Sequence, residues 1–552
     1  MSARSGADAV DLLWDEAMSW LGLIREGFAG REASLDEVLR VAAARGRRVD
    51  PEARASLEAL RGLGWLVTSG TGDGVRLAPP LLSFDPEVLQ EVESQAVRFL
   101  PRHRPLSSSE QPALWKVVEL VLSLRPTTAV LRELCEKFHQ EAQRGVEETG
   151  SSLKMLKTFA RQPSGREGGR VVVVDWGGTN CRAVAVSLDG RGGYRLENET
   201  SFKFEDRLKK GPAADVFDAI AATIEQLLEA DGTGEYSLAL IYSFPARLHA
   251  LDHAVSLKLT KGWRPRGLEG ENIVALLRAA LDRRRLSRVK VRAVANDTVA
   301  PMVLCSYERR AKDSSATLAD MGLILGTGTN QAIDLGDPGI RNMESGGFDG
   351  VRRIQGSIDR ALDAELSDPS PGGQLYEKMV SGQYLGEVVR RALLELARST
   401  PWFRRGAPAL TNVFGLDSAV LSAIAVDDEE ERPLVAAELG KLEVDSDVME
   451  RSLLQWLAHA VVRRSARLVA VGILGALRCI DPAGERPHCV AVDGSLYGGY
   501  PRYDELLRSA LDEVGGASTS TRVTRVFVKN STSAGAAVIA AAAADRQSAG
   551  HV

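Results

Sequence analysis

The sequence predicts an α/β protein built from two facing halves and preceded by a small α+β module. Three observations carry that expectation. After Val171, short apolar runs alternate with stretches of helical periodicity, the pattern of a layered α/β domain. Two glycine/threonine turns repeat one plan, strand–turn–strand ending the turn in Asn: "VVVVDWGGTNCRAV" (Val171–Val184) and "MGLILGTGTNQAIDL" (Met321–Leu335). The first hundred residues read differently, as helix, helix and β-hairpin.

Bulk properties set the bounds. At 552 residues the chain is too long for one ordinary core, so two or three domains are expected. It is 44% hydrophobic and 26% charged, as globular proteins are. A net charge of −5 gives no global pull toward nucleic acid or anionic membrane. No apolar run approaches a membrane span, and "MSARSGADAVDLLWDEAMSW" has acids where a signal peptide needs an apolar core. The five cysteines (Cys135, Cys181, Cys305, Cys479, Cys489) lack C-x-x-C spacing, which argues against a zinc site or disulfide framework and suits a reducing cytoplasm. Of the scattered histidines only His249 and His253 are close, and they read as surface residues.

Residues 1–90 form the expected accessory module. "SLDEVLRVAAARG" and "DPEARASLEALRGLG" carry apolar positions at helical spacing and end in glycine, with Ser34 and Asp50 as N-caps and Pro51 at a first helical position. "WLVTSGTGDGVRLAP" then gives two short strands around a Gly/Asp turn. The order resembles a winged helix-turn-helix, whose Arg45, Arg47, Arg48, Arg54, Arg61 and Arg76 could meet DNA phosphates. From Arg31 to Pro80, however, eight arginines face seven acids, a net of +1, so a protein-docking module with solvated arginines is the alternative. "APPLLSFDPE" is a proline-marked connector, and Leu114 to Val146 is expected to be helical throughout.

The glycine pair of the first turn is ordinary hairpin chemistry on its own. A matched second turn adds another possibility: backbone N–H groups freed by glycine, aimed at one anionic ligand from opposite sides. Between them lies "VKVRAVANDTVAPMVLCSY", a strand from about Val289 to Ala295 running into a helix. Ligands of open α/β sheets sit beyond the carboxyl ends of strands, where Asp297 falls and could take a proton from an attacking hydroxyl. Asp297 or Thr298 could equally cap the helix.

A series of motifs in one order decides more. "SSLKMLKTFARQPSGREGG", "DWGGTNCRA", "YSFPARL", "LTKGW", "ANDTVAPM", "GLILGTGTN", "NMESGGF", "LYEKMVSGQYLGEVVR" and "VAVDGSLY" resemble the segments of the hexokinase family, in its long eukaryotic form. The resemblance runs from about Leu114 to Ala544. It implies the actin-like ATPase fold, related to ribonuclease H, with an interdomain cleft. Residues 95–168 and 296–524 would form the large domain, 169–295 and 525–547 the small one. It implies a hexose pocket of Ser243, Thr260, Lys261, Asn296, Asn330, Glu344 and Glu377, with Asp297 as general base and Lys261 supporting that region electrostatically. For Glu377 a solvated helix-surface glutamate beside Lys378 is the alternative.

For ATP and Mg²⁺ the resemblance implies Asp175 near the metal and reaching it through water, since Mg²⁺ keeps its hydration. Gly177, Gly178, Thr179, Asn180 and Arg182 would line one side of the phosphates, and Gly326, Thr327 and Gly328 the other. Asp493, Gly494 and Ser495 match the adenosine segment; Thr532 and Gly535 match the late phosphate-contacting one. Departures are Cys181 where the family usually has an aromatic, Ser345 where tryptophan is common, and "VKNSTSAGAA", in which Ala534 takes a basic position. The expected activity is ATP-dependent phosphorylation of a hexose at the 6-hydroxyl, glucose first, with fructose and mannose as further candidates. The alternative is a sugar-sensing regulator whose residues 1–90 bind DNA or a protein.

Overall fold

The computed structural model describes residues 33–44, 66–68, 74–77, 95, 98–100, 110–228, 234–257, 259, 262–337, 339–367, 369–529 and 531–548. The chain divides into two compact units, Met1–Val130 with Tyr384–Ser465, and Leu131–Gln383 with Ala466–Val552.

In the first unit, β1 (Ala33–Ser34), β2 (Leu66–Thr68) and β3 (Gly74–Leu77) form an antiparallel sheet in the order β1-β3-β2, and α1 spans Leu35–Ala44. The hairpin and first helix thus stand where the sequence places them. The second expected helix, Asp50, and Arg45, Arg47, Arg48, Arg54 and Arg61 lie outside the described residues; Arg76 lies in β3. The expected continuous helix from Leu114 is two helices, α2 (Glu110–Ser123) and α3 (Thr128–Val146). Pro126 lacks an N–H and pushes Arg125 out of helical geometry, and Thr127 restarts the helix by accepting from the Val130 N–H at 3.3 Å.

The second unit holds both sheets expected of the two halves. In chain order its strands are β4 (Leu156–Lys157), β5 (Gly168–Trp176), β6 (Asn180–Asp189), β7 (Tyr194–Lys203), β8 (Tyr236–Tyr242), β9 (Ala246–Ala250), β10 (His253–Ser256), β11 (Val289–Ala295), β12 (Met321–Leu325), β13 (Thr329–Asp334), β14 (Ile340–Asn342), β15 (His488–Asp493) and β16 (Val523–Phe527). One sheet runs β11-β8-β5-β6-β7 and the other β16-β15-β12-β13-β14-β4. Apart from β4 they share one topology. Each begins with a three-stranded antiparallel meander, and two later strands add in parallel beside the meander's first strand.

The valine run of β5 is explained by burial on both faces, where continuous apolar sequence replaces alternation. Val172 and Val174 pack into a core with α4 (Ala213–Leu228) and α5 (Ile273–Arg283). Val171 and Val173 face α6 (Val299–Lys312) and the C-terminal helix, numbered α9 below (Ser531–Ser548), in a core that also takes Ala332, Ile340 and Ala491 of the second sheet. Each such valine contributes about 1.5–3 kcal/mol. Two further helices are α7 (Leu375–Val380), which carries Glu377, and α8 (Tyr503–Gly515). His249 and His253 are exposed, as expected, on the β9–β10 hairpin with rings 5.3 Å apart. All five cysteines are free thiols.

Candidate active site

The first glycine turn closes the β5–β6 hairpin, in which Asp175 pairs with Arg182 across the strands. The Gly177 N–H donates to the Asn180 carbonyl at 3.1 Å, and the Gly178 carbonyl accepts from the indole of Trp263 at 2.8 Å. Thr179 and Asn180 are exposed at the tip. Burial raises the Asp175 pKa, and the Arg182 charge opposes that shift. A cation beside a desolvated carboxylate favours its charged form. Cys181, where the family has an aromatic, is fully buried among Trp176, Phe204 and Phe217 in the α4–α5 core.

The second turn joins β12 to β13. The Gly326 N–H donates to the Gly328 carbonyl at 3.0 Å, and the Thr327 tip is exposed. A Cβ on Gly326 would lie 3.1 Å from the Ser495 nitrogen and 3.3 Å from Gly494 Cα; one on Gly494, at φ 125°, would strike the Leu325 carbonyl at 2.4 Å. Glycine at both positions lets the "DGS" turn and the hairpin touch. Asp493 Oδ1 accepts from the Gly494 N–H at 2.7 Å, and Asp493 Oδ2 accepts from Ser531 at the start of α9. From the other hairpin, Arg182 donates to Ser533 Oγ at 2.9 Å. The first turn of α9 is therefore bonded both to Arg182 of the first hairpin and to the "DGS" turn that lies against the second.

A polar network links the end of β11 to β13 and β14. Asn330 Nδ2 donates to Asn342 Oδ1 at 2.8 Å and makes a long contact of 3.5 Å with Asn296 Oδ1. Asn342 Nδ2 donates to Glu344 Oε1 at 2.8 Å, and Asn330 Oδ1 accepts from the Ser345 N–H at 3.1 Å. Glu344 sits at φ 53°, a left-handed backbone that costs a side-chain residue of order 1–3 kcal/mol and that surrounding bonds must hold. Tyr242 and Phe244, on either side of Ser243, line one recess with Asn296 and Asn342. The start of α6 is bonded through Asn296, whose Oδ1 accepts from the Thr298 N–H at 3.0 Å and whose carbonyl accepts from Val299.

Two close approaches fix the turn that carries Asp297. A Cβ on Gly322 would fall 2.0 Å from the Thr298 carbonyl oxygen, and one on Gly535 would fall 2.0 Å from that of Ala300. The first turn of α6 is clasped between β12 and α9, which sets Asp297, half-buried, just beyond the end of β11. Gly535 thus has a packing reason to be glycine. Glu377, on α7, accepts from the Thr329 N–H at 3.1 Å, directly beneath the second hairpin. Its neighbour Lys378 is buried and paired with Asp363 at 2.7 Å, so the pair is not a solvated surface. Thr260 and Lys261 lie outside the described residues.

Two hexokinase family models match, one over residues 116–307 and one over 320–542. Hexokinase of Schistosoma mansoni is 30% identical over 461 residues, 78% of this chain and 98% of the relative. The chain belongs to the hexokinase family. Hexokinase-2 of Candida albicans is 30% identical over 74% of this chain and 88% of its own length. The solved structure of the S. mansoni hexokinase complexed with glucose superposes with a TM-score of 0.69, covering 79% of this chain and all of that one. A second solved hexokinase gives 0.68 at 28% identity. The protein is accordingly a sugar-phosphorylating phosphotransferase with the actin-like fold of the hexokinases. Among the described residues no helix is long and apolar enough to cross a membrane.

One residue escaped the sequence reading. Asn342 stands inside the quoted "NMESGGF", yet only the structure shows that it joins Asn330 to Glu344. The available signal was a second asparagine on a short strand, two positions before an expected sugar ligand.

Proposed function

We propose that this hexokinase transfers the γ-phosphoryl group of ATP to the 6-hydroxyl of a hexose, with D-glucose the first candidate and Asp297 the general base. The observation that carries the reading is the Asn296–Asn330–Asn342–Glu344 network, which joins the residue preceding Asp297 at the end of β11 to the strand leaving the second glycine hairpin. Such a cluster of short amide and carboxylate groups suits a ring of sugar hydroxyls, each of which needs a donor or acceptor. Ser243, Thr260, Lys261 and Glu377 complete the proposed sugar set.

Asp297 would accept the hydroxyl proton as that oxygen bonds to the γ-phosphorus and the bond to ADP breaks. The Gly177–Asn180 and Gly326–Gly328 turns would hold the phosphates, with Asp493–Ser495, Thr532 and Gly535 on the nucleotide side. Asp175, a desolvated carboxylate opposite Arg182, suits a hydrated Mg²⁺. When bound, that ion neutralises phosphate charge. Closure of the small domain over the sugar would exclude water and limit hydrolysis. The packing of α9 on the β5–β8–β11 sheet supports its place in the small domain, whereas residues 525–527 of the expected 525–547 segment lie in β16 of the other sheet.

The test is a coupled assay of ADP release with glucose, fructose, mannose and glucosamine, comparing wild type with Asp297→Ala. Sugar-dependent release that the variant loses is expected. No sugar-dependent release with any of the four overturns the proposal.

A further inference from the structure

A cavity of about 650 Å³ in the second unit has no part in the reaction just proposed. It is walled by the segment after α3, by β4, by β9 and by Arg341 of β14. Arg341 immediately precedes Asn342, and successive side chains of a strand leave opposite faces. The cavity therefore lies on the reverse side of the strand that supplies a sugar-network residue. Its lining is strongly one-signed: Lys154, Lys157, Arg247 and Arg341 against the single carboxylate of Glu148.

Arg341 is the unusual member. It is 5% exposed, its Nη1 reaches the Met155 carbonyl only at 3.4 Å, and its Nε finds no partner among the described residues. A buried guanidinium normally has its donors matched, because leaving one unmatched is costly. Burial lowers the Arg341 pKa and the Glu148 charge only opposes that. The three other cations are exposed around the rim. Phe159, 42% exposed, and Leu248 add an apolar wall.

We propose that this cavity is a binding site for a small organic phosphate, its phosphate on Arg341 and its carbon frame against Phe159 and Leu248. A guanidinium fork pairs with phosphate through two parallel N–H···O bonds, and the rim lysines and Arg247 add charge. The volume is that of small-ligand sites generally.

The experiment is calorimetric titration of the full chain with phenyl phosphate, with ADP and glucose saturating so that the reaction cleft is filled. One binding event is expected, weakened at least tenfold in Arg341→Met and at least threefold in Arg247→Ala. The exposed Arg247 serves should Arg341→Met fail to fold. Absence of binding, or affinity unchanged in the folded variants, overturns the proposal. So does binding of benzoate with phenyl phosphate silent, which would make the site a carboxylate pocket.

Discussion

Asn342→Ala tests the part of the site that only the structure reveals. The substitution removes the donor to Glu344 Oε1 and the acceptor for Asn330 Nδ2, both at 2.8 Å. A hydrogen bond to a charged group contributes about 1.5–3 kcal/mol and a neutral one about 0.5–1.5 kcal/mol. Both surviving partners keep some solvent and other contacts, so about 1.5–3 kcal/mol should be lost from their positioning. Glu344 has a further reason to move, because its left-handed backbone is held partly by this bond. At about 1.4 kcal/mol per tenfold, the glucose KM should rise roughly 10- to 100-fold. The kcat should fall far less, since Asp297 is untouched. A coupled ADP-release assay over a glucose series reads both constants, and a thermal melt checks folding. Asn342→Asp keeps the acceptor but sets a like charge against Glu344, so its KM should rise at least as much. A folded Asn342→Ala enzyme with KM within about twofold of wild type would refute the reasoning, since the full effect is roughly one to two decades.

Asp297→Asn should lower kcat by about 10²- to 10⁴-fold, the range for general-base removal, while calorimetric glucose binding barely moves. Asp175→Ala should impair turnover more than sugar binding; collapsed glucose affinity with turnover of bound sugar intact would remove Asp175 from the phosphate side. Gly535→Ala places a methyl 2.0 Å from the Ala300 carbonyl, so α9 must shift, and a loss of about 1–3 kcal/mol should appear as a lowered Tm. The Glu141 carboxyl is raised by burial but brought down to about 2 by Lys137, Ser151 and Ser152. A depressed carboxyl stabilises the fold above its ordinary pKa of 4.5, and that stability is lost as pH falls toward 2. Glu141→Gln should flatten the dependence of Tm on pH across that window.

What the sequence makes legible follows from how local each signal is. β11 is read to the residue because an alternating V-K-V-R-A-V-A stretch ends abruptly in Asn-Asp-Thr. The paired hairpins are legible because each turn's glycines act within four residues. The break at Pro126 is harder to see, since apolar positions continue at helical spacing on both sides of it. Asn342 is less legible still: its partner Asn330 is twelve residues away across two strands, and no local pattern encodes that distance. The shared topology of the two sheets was visible only as an echo between two turns.

The altered C-terminal segment shows why a motif position needs its three-dimensional setting. By sequence register Ala534 replaces a basic residue, which suggests a weakened phosphate side. In the fold Ala534 is fully buried in the core beneath the first sheet, where a lysine would carry an unpaired charge out of water. A cation does reach this end of α9: Arg182 arrives from the first hairpin and bonds Ser533. A helix N-terminus also favours negative charge through its free N–H groups. On the proposed reading, Arg182 and the first turn of α9 together supply the charge that Ala534 does not. Arg182→Ala should then raise the KM for ATP well beyond its effect on glucose, and an equal rise in both would assign Arg182 to domain structure instead.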